Sequence, residues 1–394
     1  MIIGGASGAL LAGGGRAGYS EQYLPCSAFI VPAGYKAVIE QTTRAAVKYS
    51  ASARIRNVAD TAWINLSSVS YFQVTKNSDG SLWTADVTVQ APTTWSPYIS
   101  GGTYEDVLKP SNRRLQLWCG ITVSGTTYSY LLFTGHVISY QEAVGASGGA
   151  INLRLEDARE IQTRTDSATL SIASATIFRA MQHQVMSTTQ ASRPYQGLHA
   201  GIEDQEIEVE TVGPLSYDNA QAVIDGLIPG KPLQNLTPGN LLKLSYSGIS
   251  AGEDTPAFTY SDANIISLQR FGGSNNFNAA RIYGLSGSTV TTDETFDAAD
   301  VAKRGKIYYA AGLIGSPYIQ LTEAESIADA CIAEELRGKV SVEVLLNPLI
   351  EPGQLLTVGS SRYSVASGTA IVRRVNHQYA VGRARSYMGD LILA

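Results

Sequence analysis

Two Gly-x-Ser-x-Gly sequences are the first candidates for chemistry in this chain of 394 residues. They place Ser147 and Ser250 where a hydrolase would carry its nucleophile, on a sharp turn between a buried strand and a helix. Neither serine is followed by a helical pattern, and both lie in stretches rich in glycine and serine, where such matches arise by chance. We therefore expect loops at both positions and no catalytic residue at either.

The histidines and cysteines could hold a metal only if their spacing brought several of them together. The four histidines are dispersed along the chain: His136, His183, His199 and His377. None has a second histidine at the spacing with which a helix presents two zinc ligands. The three cysteines lack the Cys-x-x-Cys spacing and are far apart: Cys26, Cys119 and Cys331. We expect buried free thiols and no metal site.

The glycine-rich N-terminus contains a pattern that dinucleotide-binding folds share. Gly13-x-Gly15-x-x-Gly18 has the required glycines, and Glu40 lies at about the right distance beyond them. No strand pattern precedes the glycines, however, and Pro25 follows where a helix should run. The segment also lacks the basic start of a signal peptide. We interpret residues 1–20 as a glycine-rich arm and expect no cofactor.

An acidic stretch is the most prominent polar feature of the sequence. Glu206, Glu208 and Glu210 alternate with apolar residues, so a strand here would have one wholly acidic face. Two interpretations stay open: a solvated sheet face, or a charged surface that faces a channel or a basic partner protein. Because no two carboxylates form a recognisable acid and base couple, the sequence favours a protein that is not an enzyme.

The composition favours β structure built for contacts. Charged residues make up 16% of the chain, below the roughly 25% of typical soluble proteins. Tyrosines (21) far outnumber phenylalanines (8), which suits strands and surfaces where one end of the ring stays wet. The net charge is −5 without a run of Lys and Arg, so we expect no sequence-specific nucleic-acid binding, although DNA could pass along a weakly acidic wall. No apolar run predicts a membrane span.

The alternation of apolar and polar residues divides the rest of the chain into three parts. Residues 21–165 carry about seven strand patterns, which predict a sandwich or a barrel. Residues 166–275 mix strands with helical spacing over 168–186 and 211–227, and predict an α+β middle domain. Strands return over 276–394, together with a helix that starts at Thr322 and has an apolar stripe. The stripe consists of Ala324, Ile327, Ala328, Cys331, Ile332 and Leu336.

The most informative stretch begins at Lys339. Alternation over Val340–Leu346 predicts a half-buried strand, and Pro352 followed by Gly353 predicts a type II turn. Further strands are expected over 362–365, 371–377 and 389–393. Small antiparallel strands of this kind would close on one another, as in a barrel.

This stretch carries a resemblance to a known family. The sequence VEVLLNPLIEPGQLLTV (342–358) after a helix, followed by Tyr363-x-Val365 and a strand with His377, resembles the last domain of bacteriophage tail hub proteins. The motif LLFTGHVISY … INLRLEDARE, between residues 131 and 160, is similar to the close of the first barrel of that family. The residues that carry the C-terminal part of the resemblance are Asn347, Pro348, Pro352, Gly353, Tyr363 and His377.

The resemblance implies a mainly β fold with α+β insertions, in which two tail-tube-like β-barrel domains (21–165 and 276–394) flank the middle domain. It implies a structural virion protein, a homotrimeric hub at the tail tip or baseplate that joins a sixfold tail tube to a threefold tip and surrounds the channel for DNA ejection. The implied partners are the tail tube or distal tail protein, the C-terminal end of the tape measure protein, and a spike or fibre protein. Such a protein would assemble in the host cytoplasm. The alternative is a receptor- or glycan-binding tail-tip protein that uses its Tyr and Trp rings as stacking platforms.

Overall fold

A computed structural model gives the fold. It describes residues 23–24, 38, 47–56, 62–66, 69–77, 81–91, 113–145, 148–157, 170–171, 175–176, 195–199, 206–207, 211–212, 233–236, 241–245, 256–271, 277–309, 314–322, 324–325, 328–329, 332 and 339–393. Within these residues the chain is mainly β, as predicted. No helix in the same residues has both the length and the apolar character needed to span a membrane.

The first part of the chain contributes strands that are mostly long and antiparallel. They are β1 (Tyr23–Leu24), β2 (Val47–Arg56), β3 (Trp63–Asn65), β4 (Val69–Asn77), β5 (Thr84–Ala91), β6 (Arg114–Val123), β7 (Thr126–Gly145) and β8 (Gly148–Glu156). Side chains alternate as the sequence predicts: in β6, Leu115 and Leu117 are buried while Gln116 between them faces outward and is half-buried.

The strands of the middle part are short. They are β9 (Leu170–Ser171), β10 (Ala175–Thr176), β11 (Tyr195–His199), β12 (Glu206–Ile207), β13 (Thr211–Val212), β14 (Leu233–Leu236) and β15 (Leu241–Ser245). The helical spacing over 168–186 was misleading at β9 and β10, because β9 pairs with β13 and β10 pairs with β12. Pairing with distant strands overrides a local periodicity here.

From Phe258 onwards the strands are mostly longer again, and a short helix lies among them. The elements are β16 (Phe258–Tyr260), β17 (Ile265–Phe271), β18 (Ala279–Ser286), β19 (Thr289–Phe296), α1 (Ala298–Arg304), β20 (Ile314–Gln320), β21 (Lys339–Leu345), β22 (Leu355–Ser360), β23 (Val365–Ile371), β24 (Arg374–Ala380) and β25 (Arg383–Leu393). The Asp297 carboxylate accepts from the backbone N–H groups of Ala299 and Asp300 and so caps the start of α1.

One 14-stranded sheet crosses the chain from its first part to its last. Its pairing path is β16-β22-β23-β25-β24-β4-β5-β8-β7-β6-β2-β3, and β21 joins it beside β25 with β17 on its other side. The first and last parts of the chain meet where β24 pairs antiparallel with β4, with His377 opposite Val74. Among the described strands the path does not return on itself, so the two separate barrels stay a prediction.

Two apolar cores lie against this sheet. The first is built on β2 and β4–β8 and includes Phe72 and Leu117; the second is built on β16, β17 and β21–β25 and includes Val342 and Leu356. Residues from the end of the chain, such as Tyr379, also belong to the first core, where its ring stacks on Phe72 at 5.4 Å. The cores therefore interlock along the β4–β24 pair.

A three-stranded sheet with the order β19-β18-β20 carries a third core. The helix predicted from Thr322 packs here: Leu321, Thr322, Ala324, Glu325, Ala328, Asp329 and Ile332 are helical. Its stripe is confirmed at Ala324, Ala328 and Ile332, which are buried against β18 and β20. Ile327, Cys331 and Leu336 lie outside the described residues.

Candidate functional site

The loop between β21 and β22 lies at the junction of the two main cores. Leu349 of this loop packs against both of them. The predicted turn is confirmed, since Gly353 has φ +85° and the Gln354 N–H donates to the Glu351 carbonyl at 3.3 Å. The Gly353 N–H donates to the Val372 carbonyl at 2.7 Å. Val372 lies between β23 and β24, so the single strand expected over 371–377 is interrupted there.

Asn347 shapes the start of this loop. Its side-chain oxygen accepts from the Leu349 N–H at 3.0 Å, which closes a local turn around Pro348. Its side-chain amide donates to the hydroxyl of Tyr260 on β16 at 2.8 Å, inside the second core. Both Asn347 and Pro348 are buried. The asparagine and proline of the motif therefore fold the loop back onto the sheet.

His377 on β24 is fully buried and uses both ring nitrogens. Its Nε2 lies 3.3 Å from the Ile350 carbonyl and its Nδ1 lies 2.9 Å from the Ser386 hydroxyl. Because a carbonyl only accepts, Nε2 carries the proton and Nδ1 accepts from Ser386. Burial, and then the charge of nearby Lys76, holds the pKa of His377 well below its usual 6.5. The imidazole is neutral and acts as a structural link.

The Ser386 and His377 pair has the spacing of a nucleophile and its base. Both side chains are fully buried, and the Ser386 oxygen also accepts from the Asn347 N–H at 2.9 Å. A substrate would have to displace the loop to reach this oxygen, so the arrangement serves packing and not nucleophilic catalysis.

A buried ion pair joins the loop to the first half of the sheet. Lys76 Nζ on β4 lies 2.7 Å from Glu351 Oε1, and the two side chains are 0% and 8% exposed. Lys76 Nζ also lies 5.3 Å from the centre of the Trp83 ring. Burial raises the pKa of Glu351 to about 7, against the opposing effect of Lys76, and lowers the pKa of Lys76. The second oxygen, Glu351 Oε2, is buried and has no hydrogen-bond partner among the described residues.

We call Lys76, Asn347, Glu351, Gln354, His377 and Ser386 the joint. Sequence reasoning found part of it. Asn347 and His377 were singled out, and the structure brings them onto the same serine. Gln354 was missed: its side chain accepts from the Glu351 N–H at 3.1 Å and donates to the Leu349 carbonyl at 3.0 Å. Its position beside the turn glycine was the available signal. Nothing in the sequence could have paired Lys76 with Glu351, which is 275 positions away.

Tyr363 lies away from the joint. The strand expected over 362–365 is wrong, because β22 ends at Ser360 and residues 361–364 form a turn in which Ser364 has φ +52°. The Asp262 carboxylate holds this turn, accepting from the Ser360 and Ser361 hydroxyls and from two backbone N–H groups. These bonds lower the pKa of Asp262 to about 2. Tyr363 itself is half-buried against the second core.

The acidic stretch and the serine motifs are mostly beyond the described residues. Glu206 lies in β12, paired with Thr176, whereas Glu208 and Glu210 lie outside the described residues. Ser147 and Ser250 lie outside them as well. Within the described part of the chain, no group of three or more His, Cys, Asp or Glu side chains is placed to hold a metal ion.

Comparison with known proteins gives a match in structure and none in sequence. No protein-family model matches the chain, and no curated protein sequence matches it. The structure is similar to that of a tail protein from Neisseria meningitidis MC58, with a TM-score of 0.60 at 10% identity over 87% of this chain and 96% of that one. The chain has the fold of phage tail proteins.

Two further tail proteins share this fold. The 43 kDa tail protein of prophage MuSo2 from Shewanella oneidensis matches with a TM-score of 0.54 at 10% identity, over 88% of this chain and 99% of that one. Prophage tail protein gp18 from Listeria monocytogenes EGD-e matches with a TM-score of 0.50 at 10% identity, over 86% and 94%. Each match covers far more of the chain than either half of the large sheet, so the shared phage-tail fold includes parts of both halves.

Proposed function

We propose that this chain is a structural, non-enzymatic component of a phage-like tail, and that three copies form the hub at its distal end. The observation that carries the proposal is the likeness to a tail protein over 87% of this chain and 96% of that one. A match of that extent concerns the whole architecture and not a single shared domain.

The two halves of the large sheet support a hub in particular. Each half has its own apolar core, and the halves are joined by the β4–β24 pair and by the buried ion pair of Lys76 and Glu351. Three copies of a chain with two strand-rich halves could present six units to a sixfold tail tube and threefold symmetry to a tip. A rigid joint suits this role, because the angle between the halves would determine whether the ring closes.

The proposed hub has a defined set of neighbours. We place the tail tube or distal tail protein on one side, a spike or fibre protein on the other, and the C-terminal end of the tape measure protein at the channel. DNA would leave through that channel without sequence-specific contacts. The protein would act in the virion, at the tail tip or baseplate, after assembly in the host cytoplasm.

The solution mass tests this proposal first. We expect light scattering to give three times the 41.9 kDa of one chain, and negative-stain class averages to show a ring with a central hole. If the protein is monomeric alone, the measurement is repeated with purified tail tube protein, on which the hub would assemble. A protein that stays monomeric or dimeric in both measurements contradicts the hub. Binding of a defined glycan by such a monomer would favour the receptor-binding alternative.

A further inference from the structure

The outward face of β2, β3 and β6 is basic in an otherwise acidic chain. These three strands contain Lys48, Arg54, Arg56 and Arg114, and neither Asp nor Glu occurs in them. The whole chain has a net charge of −5. Alternation places all four basic side chains on the same side of the sheet, opposite the buried Ala53, Ile55 and Leu115. We call this side of the three strands the basic face.

Arg54 is held in a fixed position at the centre of the basic face. Its Nε donates to Gln116 Oε1 at 2.7 Å, and Gln116 is its cross-strand partner on β6. Its guanidinium carbon lies 4.8 Å from the ring centre of Trp63 and 5.1 Å from that of Trp118. One donor of the fork is thus used for positioning, and no hydrogen bond to a described residue engages the two terminal nitrogens. Arg56 and Arg114 have further partners within the chain, so Arg54 and the exposed Lys48 carry the argument.

The chemistry of the basic face favours an oxyanion over a flat ring. Trp63 is already covered by two guanidinium groups, since Arg56 lies 4.4 Å from its centre in addition to Arg54. Sugars and single-stranded bases bind by stacking on open aromatic rings, whereas a guanidinium group lies near the ring of both Trp63 and Trp118. The basic face offers N–H donors instead, in the guanidinium fork of Arg54, which matches a planar carboxylate with two parallel bonds.

The length of the basic face indicates an extended ligand. Lys48 and Arg56 lie at opposite ends of the outward side of β2, roughly 27 Å apart at strand geometry, and Ser50 and Ser52 are exposed between them. The four basic side chains of this face are fewer than the roughly six to ten phosphate contacts of a protein that binds duplex DNA with a strong salt dependence. Because β3 is the last described strand of the pairing path, the basic face lies at an edge of the large sheet.

We propose that the basic face binds an extended acidic polypeptide segment of a partner protein, with Arg54 forking one carboxylate and Lys48 contacting another along the strand. This interaction is separate from the hub assembly, so the failure of either proposal does not affect the other.

Fluorescence anisotropy with the full chain tests the proposal, using a fluorescein-labelled peptide of about ten glutamates as the probe. We expect saturable binding that weakens as salt rises. Arg54→Gln should weaken binding at least about tenfold, because both charge-assisted bonds of the fork are lost. Lys48→Gln, at an exposed position, should weaken it without affecting the fold. Arg54→Lys should recover only part of the loss, because an ammonium cannot fork a carboxylate.

The matched control is Arg362→Gln. It removes the same charge from an exposed turn residue whose side chain makes no hydrogen bond or ion pair with a described residue, and binding should stay within about twofold. Thermal unfolding of each variant excludes a loss of fold as the cause. The proposal is overturned if the native chain does not bind the peptide, or if Arg362→Gln weakens binding as much as Arg54→Gln. It is also overturned if a single-stranded DNA oligonucleotide binds more tightly than the peptide at the same salt concentration.

Discussion

The ammonium group of Lys76 lies 2.7 Å from the Glu351 carboxylate, and both side chains are buried although the two residues are 275 positions apart in the sequence. Desolvating two charges costs several kcal/mol, which their attraction only partly offsets. Such a pair does less for stability than for geometry, because only one relative position of β4 and the loop brings the two groups together. We infer that the pair helps to fix the arrangement of the two cores.

The first prediction concerns the loss of one member of this pair. Lys76→Met leaves Glu351 buried without its cation, which should lower the free energy of unfolding by about 3 kcal/mol. The double variant Lys76→Met/Glu351→Met replaces both charges by apolar groups and should recover most of that loss. Urea denaturation of the two variants and the native chain at pH 7 measures both effects. A double variant that is no more stable than the single one would show that the charges themselves are required.

The pH dependence of Lys76→Met gives an independent check of this explanation. Glu351 has a pKa raised above its ordinary 4.5 in the folded chain, so its contribution to stability is present below 4.5 and is lost as pH rises through the folded value. Without Lys76, which opposes the rise, this loss should grow. The single variant should become less stable from pH 5 to pH 8 relative to the double variant, and Glu351→Gln in the same background should abolish the trend.

His377 predicts the opposite trend with pH. Its pKa is depressed in the folded chain and ordinary in the unfolded one, so its contribution to stability is present above about pH 6.5 and is lost as pH falls below it. His377→Gln cannot take up the proton. The stability advantage of the native chain over this variant should shrink by about 1.4 kcal/mol for each pH unit below 6.5. A difference that stays constant between pH 7 and pH 5 would mean that His377 can be protonated without unfolding.

Local patterns were enough to predict much of this fold. The alternation in β6 and β21, the turn at Gly353 and the helix from Thr322 depend on neighbouring residues, and the structure contains all of them. Errors arose where distant pairing decides the conformation. Leu170 and Ser171 follow a helical spacing but pair with β13, and Tyr363 follows a strand-like pattern but lies in a turn that Asp262 holds.

For the same reason, the sequence alone identified only some residues of the candidate site. Asn347 and His377 belong to one continuous motif and could be found by reading along the chain. Their partners could not, because Lys76, Tyr260 and Ser386 come from other strands and carry no distinctive local signal. A lone lysine within a strand is ordinarily interpreted as solvated. Only the register of β24 against β4 shows that Lys76 is opposite Val375 and faces the interior.

The contact between Asn347 and Tyr260 predicts a measurable coupling. Tyr260→Phe removes only the hydroxyl, whereas Asn347→Ala also removes the turn bond to the Leu349 N–H. The first should cost about 1 kcal/mol and the second about 2 kcal/mol, since the part-buried Leu349 N–H also loses its partner. The double variant should cost less than the sum of the two, and the difference gives the strength of the bond. Strictly additive losses, measured by urea denaturation, would contradict a direct bond.

Gly353 has the backbone conformation that most restricts substitution in the loop. Its φ of +85° is open to glycine, whereas a side chain there clashes with its own backbone. Gly353→Ala should therefore lower the free energy of unfolding by about 1–2 kcal/mol. Gly353→Asn is the matched control, because asparagine adopts positive φ more readily and should cost less than alanine.

Hydrogen exchange gives a second measurement of the same strain. The Gly353 N–H donates to the Val372 carbonyl, and a strained turn should loosen this bond. Exchange of the amide at position 353 should therefore be faster in Gly353→Ala than in Gly353→Asn. Equal stability and equal exchange for the two variants would show that the turn adapts to a side chain without strain.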